Sequence, residues 1–273
     1  MSSYVITGVS KGLGWEFLTQ LSANSDNLII GIVRNKAATD TRVKDELPDR
    51  NNIHILEADM TDYQALKAAT DKIPELTHGA LDYIIANAGV YTDYDAYTAI
   101  GGLANDPEGI EREILMLTKV NVIANIHLFN LLIPLIKKGK AKKVITITTG
   151  HADLDVVIKH DIEVAPFYAA SKAHMNLIVG KFSAQYKREG ILFLSLSPGA
   201  VDVGKWGKTK LTEEQAAAFG ATAQKFMAYA PDWKGPITPE ESIRAMLNVI
   251  DKASIENGDA GEFLSHWGNK QWL

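Results

Sequence analysis

The sequence predicts an α/β protein built on a doubly wound parallel sheet with helices on both faces. Three observations carry that reading. Short runs rich in Val, Ile and Leu alternate with longer amphipathic segments along the whole chain. Such alternation implies parallel strands joined by helical crossovers, and strands covered on both faces read as apolar runs. A glycine-rich turn, Thr7–Gly14, follows the first run at once and leads into a helix. Right-handed crossovers then wind the helices onto both sides of the sheet.

The runs Tyr4–Thr7, Leu28–Val33, Ile53–Glu57, Leu81–Ala86, Lys143–Thr149 and Ile191–Ser197 read as buried strands. Trp15–Ala23 reads as the first helix. Asp62–Ile73 reads as another, opening after Thr61 as its N-cap. Ile110–Lys137 is a long helix, with Ile110, Ile114, Leu117, Asn121, Ala124, Leu128 and Leu131 at helical spacing. Phe167–Glu189 is a second long one. Tyr91–Gly109 looks irregular. Gly199–Pro239 has Gly, Pro and Trp at both ends and a weakly helical middle, Thr212–Ala230. An excursion of that size reads as a lid or binding element, or else as a surface insertion. No Pro/Gly/Ser-rich linker and no repeat divides the chain, so residues 1–273 read as a single domain.

Composition removes several classes of function. The 273 residues include no cysteine, which excludes disulfides, thiolate metal sites and cysteine nucleophiles. The histidines are scattered without metal-ligand spacing, so no metal site is expected. A net charge of −5 argues against nucleic acid or an anionic membrane as partner, because each wants a basic face. Residues Met1–Ile6 show no signal-peptide pattern, and no stretch reaches the length of a membrane-spanning helix. A cytoplasmic protein is the expectation. No Gly-x-Ser-x-Gly elbow is present, so a serine hydrolase is excluded.

The turn Thr7-Gly8-Val9-Ser10-Lys11-Gly12-Leu13-Gly14 is built for phosphate. Its glycines let the backbone turn tightly and approach a pyrophosphate. The helix that follows offers free N–H groups and the positive end of its dipole. The glycine spacing, Gly-x3-Gly-x-Gly, differs from the usual dinucleotide fingerprint.

With that spacing the chain resembles the short-chain dehydrogenase/reductase family, whose opening pattern is Thr-Gly-x3-Gly-x-Gly. Further matches follow in the family's order: Asp59, Asn87-Ala88-Gly89, Asn121, Tyr168-x3-Lys172 and Pro198-Gly199. The resemblance covers nearly the whole chain and implies a Rossmann-type sheet of about seven strands. It implies a nicotinamide cofactor held by Gly8, Ser10, Lys11, Gly12, Leu13 and Gly14 of the loop. Asp59, with Met60 beside it, would meet the adenine. Asn87, Ala88 and Gly89 would line the cofactor. Pro198, Gly199 and Val201 would lie along it after the sixth strand. Val203 stands where many members have a threonine for the carboxamide. A homodimer or homotetramer built on the two long helices is also implied.

Two positions speak to the choice of cofactor. An NAD site needs an acidic residue at the end of the second strand. Here Arg34-Asn35 ends it, and no carboxylate stands there. Arg34 would grip a 2′-phosphate through its planar fork, with Lys11 adding a second charge. The alternative is that both are solvated surface charges. The resemblance points to the NADP-preferring, carbonyl reductase-like branch, hence NADP(H).

Tyr168 and Lys172 stand four apart on a predicted helix and so share one face. A free tyrosine has a pKa of about 10, and a neighbouring ammonium is expected to lower it. Tyr168 would protonate a carbonyl oxygen as hydride reaches the carbon. By resemblance Lys172 also holds the nicotinamide ribose, and Asn121 holds a water that links Lys172 to a proton path. A helix kink or a core hydrogen bond at Asn121 is compatible with that role. Most members end the fifth strand in Ser-Ser. This chain has Thr148-Thr149, and Thr149 aligns with the serine that orients the substrate carbonyl. A threonine donates the same hydrogen bond, but its methyl narrows the pocket. The stretch from Thr149 to Tyr168 is longer than in most members, so residues from His151 and Asp153 onward must loop beside the site. His151 reads as a loop residue, or as one that binds a polar substrate.

The Gly199–Pro239 region carries Trp206, Phe219, Phe226, Met227, Tyr229 and Trp233. They suit an apolar or aromatic ketone pocket, and suit the packing face of a helix equally well. Tyr91 is expected to help, and Trp267 and Trp272 would cover either the pocket or a subunit interface. The sequence thus reads as an NADPH-dependent oxidoreductase acting on a ketone or aldehyde, a small-molecule carbonyl/alcohol substrate. The alternative is an NADP(H)-binding regulatory or scaffold protein with little chemistry. A sugar epimerase is a third reading, for which the C-terminal region is short.

Overall fold

A computed structural model describes residues 2–204 and 211–273. Strands β1 (Ser3–Thr7), β2 (Leu28–Val33), β3 (Ile53–Glu57), β4 (Tyr83–Ala86), β5 (Lys143–Ile147), β6 (Leu192–Ser197) and β7 (Phe263–Ser265) form one seven-stranded sheet. Its order is β3-β2-β1-β4-β5-β6-β7, and every pair is parallel. The chain runs outward from β1 to β3, then returns to lay β4 against the other side of β1. That reversal opens a crevice at the carboxyl ends of β1 and β4, where such sheets bind ligands.

The period of two along the strands sorts the core into two layers. Val5, Ile84, Val144 and Phe193 face one way, against Leu66, Leu128, Phe129, Met175 and Val179 of the helices. Their neighbours Ile6, Ile85, Ile145 and Leu194 face the other, against Phe17, Leu18, Ile243, Met246 and Ile250. The first layer is covered by α3 (Tyr63–Thr70), α6 (Ala124–Ile136) and α8 (Pro166–Tyr186), the second by α1 (Gly12–Ser22) and α10 (Pro239–Lys252). The remaining helices are α2 (Lys36–Glu46), α4 (Ile73–Leu76), α5 (Pro107–Thr118), α7 (Leu154–Lys159) and α9 (Glu213–Tyr229).

Several boundaries differ from the sequence reading, each for a local reason. The cap of α3 is Asp62, which accepts the N–H groups of Gln64 and Ala65; Thr61 instead gives its N–H and hydroxyl to Asp59. Leu81 is fully buried but lies outside β4, because Asp82 turns to accept the N–H groups of Ser3 and Lys140. Strand β5 stops at Ile147, two residues short of Thr149. After it comes a short helix, α7, capped by Asp153, where a plain loop was expected.

The long helix is broken by a π turn at Lys119–Ile123, between α5 and α6. The continuous run Pro107–Ile136 is long and apolar enough to cross a membrane by length and composition, against the expectation that no stretch would be. Its apolar character has a cause inside the fold: 56% of that window is buried, with Leu128, Phe129, Leu132 and Ile136 in the core.

Candidate active site

The glycine loop joins β1 to α1 at the crevice. Gly8 and Gly12 take left-handed φ of 75° and 57°, where a side chain would be strained. Gly14 is required by space: a Cβ there would fall 2.2 Å from the Gly8 carbonyl oxygen. Asn87, just past β4, donates its amide to the Thr7 carbonyl at 2.9 Å, and the Ala88 N–H bonds the Thr7 hydroxyl. The asparagine and the loop thus hold each other. Helix α1 has no side-chain cap and no acid in its first turn. By contrast α2, α3, α5, α9 and α10 are all capped by side chains. The first N–H groups of α1 therefore remain available to an anion.

At the end of β5, Thr149 faces a cavity of about 620 Å³ that Tyr168 and His151 also line. The Thr149 hydroxyl accepts the His151 N–H at 3.3 Å, which leaves its own proton to donate. Thr148 points elsewhere: it is buried, its hydroxyl has no partner among the described residues, and it does not line the cavity. Lys172 reaches under the site and donates to the Ile147 carbonyl at 2.9 Å. Its Nζ lies 6.0 Å from the centre of the Tyr168 ring.

Asn121 sits in the π turn and does three things at once. Its side chain accepts the Val90 N–H, donates to the Val90 carbonyl and donates to the Ser171 hydroxyl, at 2.8, 3.0 and 3.0 Å. Ser171 in turn donates to the Tyr168 carbonyl at 2.8 Å. Gly89 fits because a Cβ would come within 3.1 Å of Asn121 Oδ1 and 3.2 Å of Lys172 Nζ.

The electrostatics differ from the sequence expectation. Burial pushes the Tyr168 phenol up to about 12, so the net shift is upward despite the nearby ammonium. Burial also brings Lys172 down to about 8 and His151 down to about 4. Each shift has one origin, the cost of charge away from water. Tyr168 is therefore a protonated phenol at neutral pH, and His151 a neutral imidazole.

Known proteins place this geometry. The profile of the short chain dehydrogenases matches residues 3–215. The chain belongs to the short-chain dehydrogenase/reductase family. The short chain dehydrogenase virK of Hypocrea virens is 52% identical over 273 residues, covering all of both chains. The short-chain dehydrogenase/reductase iacC of Pestalotiopsis fici is 48% identical over 274 residues, again covering both in full. Among solved structures, the NADPH-bound carbonyl reductase from chicken fatty liver superposes with a TM-score of 0.77. It covers 98% of each chain at 22% identity, a likeness of fold.

Members of the short-chain dehydrogenase/reductase family use a nicotinamide cofactor, and the crevice fits one. The uncapped helix and the closely packed glycines make a cradle that side chains would fill. The Lys11 and Arg34 side chains are exposed and make no hydrogen bond or ion pair with a described residue; the Lys11 carbonyl accepts the Trp15 N–H at 3.3 Å. Asn35 spends its side chain on capping α2 through Ala38. A carboxylate does approach this end of β2, from the neighbouring strand: Glu57, paired in register with Val33, accepts the Lys36 N–H at 2.9 Å. Asp59 is held below the usual carboxylate range by its bonds from Thr61. Met60 is buried beside it. Val203 folds back over the loop, 3.7 Å from where a Gly12 Cβ would stand. Pro198 is fixed by the Ser242 hydroxyl on its carbonyl, and Gly199 at φ 82° lies against His266. Val201 bridges to Ile237.

The cavity is walled by α9 through Phe219, Phe226 and Tyr229. Met227 is half exposed and Trp233 packs on Phe226 instead, so the aromatic residues of this region serve both the pocket and the helix. Trp206 lies outside the described residues. Trp272 is buried and lines the cavity; its indole N–H donates to Asp153 at 2.9 Å and its backbone N–H to the Tyr229 hydroxyl. Trp267 is exposed and does not line the cavity. Tyr91 meets the Tyr168 ring edge to face at 4.9 Å. The sequence reading passed over Asp95 and Tyr97. Tyr97 lines the cavity and meets Phe219. Asp95 bonds the first turn of α8 from far along the chain.

Proposed function

We propose that the chain is an NADPH-dependent carbonyl reductase, reversible as an alcohol dehydrogenase. The observation that carries this reading is the meeting of Thr149 and Tyr168 on one cavity, with the Lys172 ammonium buried behind the phenol. The bound cofactor supplies the hydride. Thr149 donates a hydrogen bond to the carbonyl oxygen and orients it. Tyr168 gives its proton to that oxygen, and Lys172 stabilises the phenolate left behind. Asn121 holds the Val90 backbone beside them and supports the path by which the proton returns.

Arg34 and Lys11 bind the 2′-phosphate, a reading supported by their lack of other ion-pair partners among the described residues. Residues 199–239 act as the lid of one domain, and α9 over the cavity supports that role. The aromatic walls suit an apolar or aromatic ketone. A homodimer or homotetramer forms on the long helices, where Ile114, Leu115, Ile123 and Leu177 are exposed. Sedimentation showing only monomer would contradict it.

Tyr168→Phe tests the assignment. Turnover of any carbonyl should vanish while NADPH still binds; turnover retained in the variant overturns the role.

A further inference from the structure

We propose that Asp95 is a positioning residue for the reaction: its buried carboxylate holds the first turn of α8 and so sets where the Tyr168 phenol stands. The inference rests on the reading of Tyr168 as the proton donor.

Asp95 lies between β4 and α5 and is fully buried. Its Oδ2 accepts the Phe167 N–H at 2.7 Å and the Tyr168 N–H at 3.4 Å. Its backbone carbonyl accepts the Ala165 N–H at 2.9 Å. A helix leaves its first N–H groups unpaired. In α8 the residue before the helix, Ala165, has no capping side chain and sits at φ 54°, and Pro166 has no N–H. Among the described residues, Asp95 supplies what the next two amides need.

This cap differs from the others described. Asn35, Asp62, Asp106, Thr212 and Thr238 each cap a helix within three residues of themselves, at exposed positions. Asp95 reaches its helix across 72 residues of chain. Its second oxygen, Oδ1, is buried with no hydrogen-bond partner among the described residues. A stranded polar oxygen is a stability cost that a hydroxyl cap would avoid. Unpaired buried polar atoms are few in native structures, and a functional role is one reason they persist.

The geometry then closes on Tyr168. Asp95 holds its N–H, Ser171 holds its carbonyl, and Tyr91 holds its ring. The loop is itself pinned at Val90 by Asn121, the residue that also bonds Ser171. Releasing the cap frees the first turn and lets the phenol drift. A misplacement of about 1 Å costs on the order of 100-fold in rate.

The test compares Asp95→Ala and Asp95→Asn in two readouts. The first is kcat and KM for a carbonyl substrate with NADPH, beside Tyr168→Phe as the inactive reference. Asp95→Ala should lose about 100-fold in kcat, and Asp95→Asn about tenfold, since it keeps one acceptor oxygen. KM and NADPH affinity should hold. The second readout is the titration of Tyr168 by ultraviolet difference absorbance, each protein against its own Tyr168→Phe counterpart. Of the titratable groups around that phenol, His151 and Lys172 are left in place, and the shift that losing Asp95 produces in Tyr91 cancels against the Tyr168→Phe counterpart. Its midpoint should fall from about 12 as water reaches the loosened turn. A folded Asp95→Ala with unchanged kcat and titration overturns the proposal. So does a kcat loss that merely tracks lost folded protein while the titration stays put. If Asp95→Ala does not fold, Asp95→Asn carries both readouts. If Tyr168→Phe keeps its turnover, the role of Tyr168 fails by itself, and the titration still decides whether Asp95 positions the ring.

Discussion

The Lys172 ammonium stands 6.0 Å from the centre of the Tyr168 ring, anchored by a 2.9 Å hydrogen bond to the Ile147 carbonyl. The anchor ties α8 to the end of β5, so the phenol and the Thr149 hydroxyl are registered against one strand. Burial discourages charge on both partners of the pair. A phenol that keeps its proton at neutral pH is the form a reductase needs.

Removing that proton donor is the simplest test of the chemistry. A positioned general acid contributes about 10²–10⁴-fold. Tyr168→Phe should lose at least that much in kcat, while NADPH fluorescence titration gives an unchanged Kd.

The pH profile follows from Lys172. Its ammonium persists below about 8 and is lost above it, so kcat/KM for reduction should decline as pH rises through about 8. The stability effect has the opposite sense. The folded pKa lies below the unfolded value of about 10.4, so the unfolded chain binds more protons between the two. Lys172 therefore costs stability in full below about 8, and the cost fades as pH rises toward the unfolded value. Thermal melts of Lys172→Met should show a higher Tm at pH 7 and convergence with the parent at alkaline pH.

Phosphate recognition predicts a selective defect. Hydrogen bonds to charged groups contribute about 1.5–3 kcal/mol, or roughly 10- to 100-fold. Arg34→Ala should raise KM for NADPH by that factor and leave KM for NADH unchanged. Equal effects on both cofactors would place Arg34 outside the phosphate site.

Much of this was legible in the sequence. Strands β2 and β3 fall where their apolar runs predict, and the loop Gly8–Gly14 sits at the crevice. What escaped depends on contacts between distant segments. Asp95 and Phe167 meet across 72 residues, and no local pattern marks that pairing. Strand β7 has three residues, too few for a periodic signal. By sequence Trp272 suits a pocket and an interface equally; its bonds to Asp153 and Tyr229, which join distant segments, hold it on the cavity. The pKa of Tyr168 escaped because spacing reveals a neighbouring ammonium but not the burial that outweighs it.

Acid stability should reflect His151, which lines the cavity, and His266, which is buried. Burial lowers both His151 and His266 to about 4. The unfolded chain binds more protons between about 4 and its ordinary value near 6.5, so stability is lost as pH falls through that window. Melts from pH 7 to pH 4 should show a falling Tm, and His151→Phe should lessen the slope. An identical slope would mean that His151 is accessible to water.

The most direct measurement is NADPH consumption by the purified protein against ketones, aldehydes, diketones and quinones, with NADH and Tyr168→Phe in parallel. The account predicts consumption with NADPH, little with NADH, and none in the variant. Silence across the panel from a protein shown to bind NADPH, or equal rates with Tyr168→Phe, would contradict it.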